Sequence, residues 1–570
     1  MNRNFLKIML LLAFIFNLSL FLNIHLNQMP KYDDIYYYKL VDGIDKLGLP
    51  LVYRGEETGY QYGGGIIGDY INGLAHPPLG AYILYLFYLF LGKSIFSLRF
   101  VGYLNVLITI LVLTIISKQI YSAKKNKYLF YLIPILYLTS HLVVQKSTYQ
   151  SMDTLFYPAL LGIFIFLILK YEDYKFNFLI FGLMLGILLL IKYTTVPILI
   201  LSLFLYYVLR TKYFQAFHVT FWTSIMGVGL FLIAMWLFSQ YSIDTFAETL
   251  NYTFARIATP LSFKIIVKHI LTALAYDSFW VSPYIMVLFA SSFLYRLIAY
   301  FKTRTAEKID LIFIFVILGW LAYSIKAPDI YYKFPLFGLI LLLIFYPFGF
   351  KFKFKKNHLA VYLLSSVLFF SLPDPFLMLP KLLPYNIDSI YYLILLSLYF
   401  SPLMFILSIK RKYRFSALLV ISVIFFVSIN LSQSIVDYST VNLYGERGYD
   451  ELIDYMKNIY KKDALIVVRD DAGFLIGGKY YRDDDFFVNN YCRVNNSLVY
   501  RLPSSCGSII GPYNTNHLGK LENVSYFIYS SFLNEHMGGL NPEVKDYLDE
   551  KFILKKEFGH FKIYVRDVIN

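Results

Sequence analysis

Long apolar runs recur along the first three quarters of the chain, separated by short polar segments. Between residue 5 and about residue 433 most of these runs are about 16 to 24 residues long, close to the ~20 that an α-helix needs to cross a bilayer. The pattern therefore predicts a polytopic α-helical membrane protein. The runs predict about thirteen transmembrane helices, near residues 5–26, 98–118, 128–145, 154–170, 176–191, 195–210, 218–240, 281–300, 309–326, 334–349, 358–373, 389–409 and 415–433.

Basic residues cluster between the apolar runs and predict the orientation of the chain. Under the positive-inside rule all these clusters lie in the cytoplasm, which places the N-terminus inside and the tail after residue 433 outside. The run at 76–92 is short and ends at a glycine, so we interpret it as an interfacial or re-entrant helix on the outer face; the alternative is a short true span. The clusters are Arg3/Lys7, Lys118–Lys127, Lys170/Lys175, Arg210/Lys212, Lys302–Lys308, Lys351–Lys356 and Lys410–Arg414.

The tail differs from the rest of the chain in its pattern. Residues 1–433 are predicted to form the transmembrane domain, with a first outer loop at 27–97, and residues 434–570 a small extracytoplasmic α/β domain. "GYDELIDYMKNIY" and "NPEVKDYLDEKF" have the pattern of helices, "ALIVVRD" and "VSYFIYSSF" that of strands, and "KFILKKEFGHFKIYVRD" that of a hairpin.

The composition of the chain as a whole is not that of a soluble protein, since 58% of the residues are hydrophobic, only 16% are charged and the mean hydropathy is +0.56. The net charge of +15 would suggest nucleic acid as a partner in a soluble protein. Here the basic residues lie between membrane spans, and no nucleotide- or nucleic-acid-binding motif is present, so no nucleic-acid partner is expected. The only cysteines, Cys492 and Cys506, lie in the predicted outer tail, where a disulfide between them is favoured. Asn495 and Asn523 lie in N-x-S sequons.

Polar side chains gather at the predicted outer ends of the helices. Carboxylates are costly near hydrocarbon, so the pair Asp33 and Asp34, just past the first helix, suggests a general base or a metal ligand. The alternative is helix capping, by Asp33 before a helix starting at Ile35 and by Asp153 at the start of the fourth helix. The cations among them could bind a phosphate anion or merely snorkel to the interface. These outer residues are Asp33, Asp34, His76, Asp153, Lys192, Lys326, Tyr331, Tyr332 and Lys333.

The order of several short motifs resembles that of GT-C glycosyltransferases of the protein O-mannosyltransferase and lipid A aminoarabinose transferase kind. An acidic pair after the first helix is followed by "HPPL", "SLRFVGYLNVLITI", "QSMDTLF", "LLIKYTTVP" and "YYKFP". The resemblance covers roughly residues 5–350 and implies a GT-C fold.

The resemblance also implies roles for single residues. Asp33 matches the catalytic base, Asp34 stands where a Glu is common, and Asp153 matches a second acidic position in the outer cavity. His76 falls where relatives carry Lys or His before Pro, while Lys192 and Tyr332 match residues at the donor phosphate. Tyr36 replaces an Arg of the aminoarabinose transferases, so phosphate binding would also rely on Lys333. The motif "WWD" of oligosaccharyltransferases is absent, which argues against transfer of a whole preassembled glycan.

The implied activity is that of a hexosyl- or pentosyltransferase of the cell membrane. Such an enzyme moves a sugar from a polyprenyl-phosphate donor to a hydroxyl or amine of a glycan, lipid or protein acceptor on the outer face, with inversion. A divalent metal such as Mg or Mn, held by Asp33 and Asp153, is compatible with these carboxylates, although some relatives need none. The alternative functions are a transporter or flippase for a lipid-linked or small solute, and a receptor or assembly protein that binds through its tail.

Overall fold

The structure is a computed structural model, and it describes most residues up to 346 and parts of the tail. The predicted helices at 358–373, 389–409 and 415–433 lie outside the described residues, apart from Asn430, as does the predicted domain boundary at 433–434. Cys492, Cys506 and Asn495 lie outside them too. The described residues are 3–27, 33–53, 66–67, 70–72, 77–92, 94–121, 129–148, 151, 154–239, 243, 246–247, 263–267, 269–270, 273, 283–326, 330–346, 430, 448–460, 464–468, 472–473, 476, 479–482, 519, 521–530, 540 and 542–567.

Helices dominate this part of the chain. Two short 3-10 turns, Tyr193–Thr195 and Ile330–Lys333, lead into α9 and α13 respectively. The helices are α1 Arg3–Asn27, α2 Asp33–Leu47, α3 Leu79–Leu91, α4 Ile95–Tyr121, α5 Leu129–Thr139, α6 His141–Thr148, α7 Tyr157–Tyr171, α8 Asn177–Leu189, α9 Val196–Leu209, α10 Tyr213–Phe238, α11 Pro283–Thr303, α12 Lys308–Lys326, α13 Phe334–Leu343, α14 Tyr449–Ile459 and α15 Pro542–Lys551.

The apolar helices fit a membrane protein. Within the described residues, four stretches are long and apolar enough to cross a membrane, namely Leu6–Asn23, Phe96–Tyr121, Tyr213–Phe238 and Lys308–Ile325. Five shorter apolar helices, α3, α7, α8, α9 and α13, accompany them. Each predicted transmembrane helix before residue 350, except the one at 128–145, corresponds to a single observed helix, and the short run at 76–92 forms α3.

One predicted helix, 128–145, is wrong as a single element. The structure has two helices there, α5 and α6, with a break at Ser140. The backbone N–H of His141 donates to Asn430 Oδ1 at 2.8 Å instead of extending the helical ladder. Pro134 inside α5 also lacks the N–H that a regular helix needs. A tertiary hydrogen bond to a residue far along the chain therefore sets this break.

Small residues let two of the helices approach closely. Gly182 and Gly186 lie one turn apart on α8, and α10 presents Gly227 to it. A Cβ at Gly186 would lie 2.5 Å from Leu230 Cδ2, and one at Gly227 would lie 2.7 Å from Leu185 Cδ2. Leucines of each helix thus fill the space beside glycines of the other, which is the packing that small residues permit between membrane helices.

Buried ion pairs join the helices at one end of the bundle. Glu172, just after α7, accepts hydrogen bonds from Arg210 Nη1 at 2.5 Å and from Tyr206 Oη at 2.7 Å, and pairs with Lys308 at 3.1 Å. Two residues after Lys308, Asp310 of α12 accepts a hydrogen bond from Arg296 Nε of α11 at 2.5 Å. Three of the basic clusters, those at 170–175, 210–212 and 302–308, therefore lie at the same end of these helices.

The chain divides into two compact units. The first, which we call the helical unit, comprises Met1–Leu26 and Ala75–Ser439; the second, the mixed unit, comprises Asn27–Leu74 and Thr440–Asn570. The first outer loop therefore groups with the tail.

The mixed unit contains two sheets. In its loop, the strands β1 Leu51–Tyr53, β2 Ile66–Ile67 and β3 Tyr70–Asn72 form an antiparallel sheet in the order β1-β3-β2. In its tail, the strands β4 Leu465–Val468, β5 Lys479–Arg482, β6 Val524–Ser530, β7 Phe552–Phe558 and β8 Phe561–Arg566 form a sheet in the order β5-β4-β6-β8-β7. The pairs β4–β5 and β4–β6 are parallel, and the last two pairs are antiparallel.

Alternation along β4 explains why a helix covers each face of the tail sheet. Ile466 and Val468 belong to a core that includes Leu452 and Met456 of α14. Leu465 and Val467 belong to a second core with residues of α15. The helices, strands and hairpin predicted from the tail sequence are confirmed within the described residues.

Candidate functional site

Lys192 lies in the short connection between α8 and α9 and is almost completely buried. Its side chain is 1% exposed. The ammonium Nζ lies 4.8 Å from the ring centre of Tyr323, 5.7 Å from that of Tyr157 and 6.0 Å from that of Tyr332. Snorkelling to the interface is therefore the wrong interpretation of this lysine. Three aromatic faces around one desolvated cation form an electrostatically favourable setting for a positive charge.

Burial and a neighbouring lysine both act on the charge of Lys192. Burial lowers the pKa of Lys192 well below its ordinary value, and the nearby positive charge of Lys146 lowers it further. Lys146, on α6, is itself buried. A negative ligand close to Lys192 would raise this pKa again.

Lys333 is another buried lysine, at the end of the turn Ile330–Lys333 that precedes α13. Its Nζ lies 5.4 Å from the ring centre of Trp320, and its side chain is buried. It follows directly on Tyr332, whose ring is exposed and faces Lys192. The turn Ile330–Lys333 and the end of α12 thus bring Tyr323, Tyr332 and Lys333 to the part of the helical unit that holds Lys192.

The "HPPL" motif adjoins the same connection. The backbone N–H of Leu79, the first residue of α3, donates to Leu190 O at 3.1 Å. Pro78 is the N-cap of α3, a position that needs no backbone N–H. His76 itself lies outside the described residues. The hydrogen bond from Leu79 nevertheless ties the start of α3 to Leu190, which is two residues before Lys192 in the sequence.

The described residues on either side of Asp153 are joined by hydrogen bonds. Ser151 N–H donates to Thr154 Oγ1 at 2.9 Å, and the N–H groups of Thr154 and Leu155 donate back to Ser151 O at 3.0 Å. Asp153 lies outside the described residues. The helix after it, α7, begins at Tyr157 with Phe156 as its N-cap. The capping interpretation of Asp153 is therefore wrong, because the helix starts one turn later than the apolar pattern predicts.

Phe156 has a conformation that is unusual for a bulky residue. Its φ is 55°, in the left-handed region. Its ring stacks on Phe87 of α3, with ring centres 6.3 Å apart. The sharp turn at Phe156 places Tyr157 at the head of α7, where its ring faces Lys192. Strain of this kind is typical of sites where the backbone has a functional constraint.

Asp33 and Asp34 begin α2 in the mixed unit. The predicted helix start at Ile35 is two residues late, so Asp33 lies in the first turn and does not precede it. The side chains of Asp33 and Asp34 lie outside the described residues. A helix N-terminus is a favourable place for carboxylates. Tyr36, which stands where aminoarabinose transferases have Arg, is half-buried and lies edge-on to Tyr37, with ring centres 6.2 Å apart.

Several residues of this region escaped the sequence analysis. Lys146, Tyr157 and Tyr323 all lie near Lys192, and Arg99 of α4 is fully buried. A charge inside an apolar run is a signal of function, and it could have drawn attention to Arg99 and Lys146. No such signal marks Tyr157 and Tyr323, because tyrosine is abundant throughout the chain.

No metal cluster was found among the described residues. No group of three or more His, Cys, Asp or Glu side chains that could hold an ion occurs in this part of the chain. The proposed ligands Asp33 and Asp153 have side chains outside it, so the metal prediction stays a prediction.

Two comparisons with known proteins found a match, one to a family profile and one to solved structures. Residues 75–239 match the profile of the family described as dolichyl-phosphate-mannose-protein mannosyltransferase. This segment includes the start of α3, the Asp153 turn and Lys192. The sequence shows no significant similarity to a curated protein.

The fold matches that of a known membrane enzyme over nearly the whole chain. The crystal structure of ArnT from Cupriavidus metallidurans bound to undecaprenyl phosphate superimposes with a TM-score of 0.59, covering 98% of each chain at 11% identity. The same protein in the apo state gives a TM-score of 0.57, covering 97% of each chain at 11% identity. The profile match and the ArnT-like fold together confirm the resemblance of this chain to the GT-C membrane glycosyltransferases.

Proposed function

We propose that this protein is a glycosyltransferase that moves a sugar from a polyprenyl-phosphate donor to an acceptor hydroxyl or amine on the outer face of the cell membrane. The observation that carries the proposal is the buried Lys192 among three tyrosines, in a chain with an ArnT-like fold. The donor sugar would be a hexose or a pentose, and the acceptor a glycan, a lipid or a protein.

The donor phosphate would bind at Lys192. As the glycosidic bond breaks, negative charge grows on the leaving phosphate, and a preorganised cation in a dry site stabilises it. Tyr332 and Lys333 would share this role, because both lie in the turn that faces Lys192. A polyprenyl phosphate also fits the mannosyltransferase profile and the undecaprenyl phosphate named for ArnT.

An apolar groove that includes Tyr193, the residue after Lys192, suits the prenyl chain of such a donor. It has a volume of about 510 Å³ and lies between α8, α9 and α10, starting at Tyr193 and including Val196, Ile200, Phe204 and Phe231. From Val196 to Phe204 the helix rises by about 12 Å. The groove would take the first isoprene units and direct the rest of the chain into the bilayer.

Asp33 would act as the general base. It would take the proton from the acceptor while the acceptor oxygen or nitrogen attacks the anomeric carbon from the face opposite the phosphate, so that the configuration inverts. The bond from the anomeric carbon to the phosphate oxygen breaks, and polyprenyl phosphate leaves with its electron pair. Because phosphate is a weak base, no strong general acid is required. Asp34 would be the second catalytic carboxylate, beside Asp33, and His76 and Tyr36 would line the substrate cavity of such an enzyme.

Asp153 would position the acceptor or, with Asp33, hold a divalent metal. Carboxylate oxygens suit Mg or Mn, and the turn between Ser151 and Thr154 would fix the segment that presents Asp153. Such an ion would neutralise charge on the phosphate. The chain's own residues, with Asp33 as the base, would carry out the transfer itself.

The orientation and the tail complete the proposal. The N-terminus would lie in the cytoplasm, and residues 434–570 would form an extracytoplasmic domain. There Cys492 and Cys506 would pair in an oxidising compartment. The end of the bundle with the ion pairs of Glu172 and Arg296 would then face the cytoplasm, and Lys192 would face the outer leaflet.

A transfer assay with purified protein tests the proposal. Labelled polyprenyl-phosphate monosaccharides are supplied one by one, beside the Asp33→Asn variant. Release of free polyprenyl phosphate that depends on Asp33 supports the reaction and identifies the sugar. Transfer that persists in Asp33→Asn would contradict the base assignment. Neither turnover nor binding with any donor would favour a transporter or flippase instead.

A further inference from the structure

A lysine of the loop helix reaches the sheet of the tail. Lys39 lies on α2, is 7% exposed, and places its Nζ 5.2 Å from the ring centre of Tyr480. Tyr480 lies on β5, and both residues belong to the mixed unit. The contact therefore joins two segments that are more than four hundred residues apart in sequence.

The ring that receives Lys39 is held firmly. Tyr480 belongs to the core that packs α14 against the sheet, together with Leu452 and Ile466. The backbone of Gly473 lies so close that a Cβ there would be 2.6 Å from carbons of the ring. Tyr480 is thus a fixed surface, and a cation over it gains more than at an exposed site because both groups are desolvated.

α2 transmits the position of Lys39 to its own first turn. The helix begins at Asp33, six residues before Lys39, which corresponds to a rise of about 9 Å along the axis. Tyr37, Leu40 and Ile44 are all buried, so the helix is packed along its length. A packed helix moves as a rigid body, and a shift at Lys39 becomes a shift of the backbone at Asp33.

We propose that the contact between Lys39 and Tyr480 is a positioning contact, through which the tail domain holds the start of α2 and with it the base Asp33. This inference rests on the proposed function of Asp33. It assigns a role to the tail: the sheet fixes the catalytic helix of a loop that is distant in sequence. Lys39 and Tyr480 are positioning residues, since they act through Asp33.

Loss of the contact should lower the rate of transfer more than the affinity for the donor. A misplacement of about 1 Å in a reacting group costs roughly a hundredfold in rate, so we expect Lys39→Met to lower kcat by about tenfold or more. The donor KM should change by less than about threefold, because the donor phosphate is assigned to Lys192 in the helical unit. Lys39→Arg and Tyr480→Phe keep a cation and a ring, and should retain kcat within about threefold.

The experiment compares these variants in the full-length protein. Lys556→Met is the matched control, because Lys556 lies 4.9 Å from the ring centre of Tyr455 in the same domain. This control should leave kcat unchanged. Lys39→Met in a Tyr480→Leu background should cost little further, since the two residues act through one contact.

Three results would overturn the inference. They are an unchanged kcat in Lys39→Met, an equal loss in Lys39→Met and Lys39→Arg, and additive losses in the double variant. If Lys39→Met fails to fold, the comparison of Tyr480→Phe with Tyr480→Leu decides in its place. Each of these is distinct from failure of the proposed function, which would show as no turnover of any donor by the wild-type protein, and from failure of the base assignment, which would show as full activity of Asp33→Asn.

Discussion

Donor binding should be coupled to uptake of a proton by Lys192. In the free protein, burial and the charge of Lys146 hold the pKa of Lys192 well below its ordinary value. A bound phosphate supplies an opposite charge and raises this pKa. Between the two pKa values the free protein binds fewer protons than the complex does. Affinity for the donor must therefore fall as the pH rises through this interval.

The size of the effect follows from the number of protons. Because one proton is taken up, the Kd should rise by up to about tenfold for each pH unit above the pKa of the free state. Replacement of Lys192 by Gln removes the cation at every pH. A hydrogen bond to a charged group contributes about 1.5–3 kcal/mol, so the Kd of Lys192→Gln should be roughly 10- to 150-fold higher at low pH.

The assay is equilibrium binding of a non-hydrolysable polyprenyl-phosphate sugar between about pH 6 and pH 9. A phosphodiester is the right probe because it carries one charge throughout this range, whereas a monoester titrates near pH 6. Lys192→Arg should bind with a flat pH profile, since arginine stays protonated. Lys333→Arg, the matched control, should keep the slope of the wild type.

Lys146→Gln should move the slope to higher pH, because it removes a positive charge that lowers the pKa of Lys192. The reasoning is refuted if the wild-type affinity is constant over the whole range, or if Lys192→Arg keeps the slope.

The packing and the groove lead to three further predictions. Gly186→Ala should destabilise the protein by about 1–3 kcal/mol, because the new Cβ would meet Leu230. Gly229→Ala is the control and should not destabilise it, because the space around Gly229 is open. Thermal unfolding in detergent measures the difference between the two variants. Asp310→Asn should cost about 1–3 kcal/mol, because it replaces the carboxylate that accepts from the buried Arg296 and leaves that arginine with Glu307 as its carboxylate partner. An unchanged melting temperature would contradict this. Ile200→Trp should weaken donor binding by filling the apolar groove, whereas the exposed Leu183→Trp outside the groove should not, as measured by the same binding assay.

Much of the fold was predictable because it depends on local patterns. Apolar runs that match the bilayer thickness define the helices, and the short, nearly continuous apolar runs in "ALIVVRD" and "VSYFIYSSF" have the pattern of buried strands and define two strands of the tail sheet. The break between α5 and α6 was not predictable, since its cause is a hydrogen bond from His141 to Asn430. A pattern within one window of sequence contains no information about a partner that distant.

Helix boundaries at the site were predicted less well than the helices themselves. The apolar pattern places the start of a helix at 154, yet α7 begins at Tyr157 because Phe156 takes a left-handed conformation. A sequence-based prediction expects such a conformation at glycine, asparagine or aspartate. The stacking of Phe156 on Phe87 offers a tertiary reason for it, and that reason depends on where α3 packs.

Lysines at helix ends show why a site cannot be identified by residue type alone. Lys192 and Lys308 both adjoin an apolar helix, and in the sequence each is compatible with snorkelling. In the structure Lys308 is largely exposed and neutralised by Glu172, while Lys192 is buried among the rings of Tyr157, Tyr323 and Tyr332. A carboxylate partner makes a lysine part of the scaffold, because its charge is already satisfied. The three rings instead surround a buried lysine whose pKa is lowered, and a phosphate bound there would raise that pKa again.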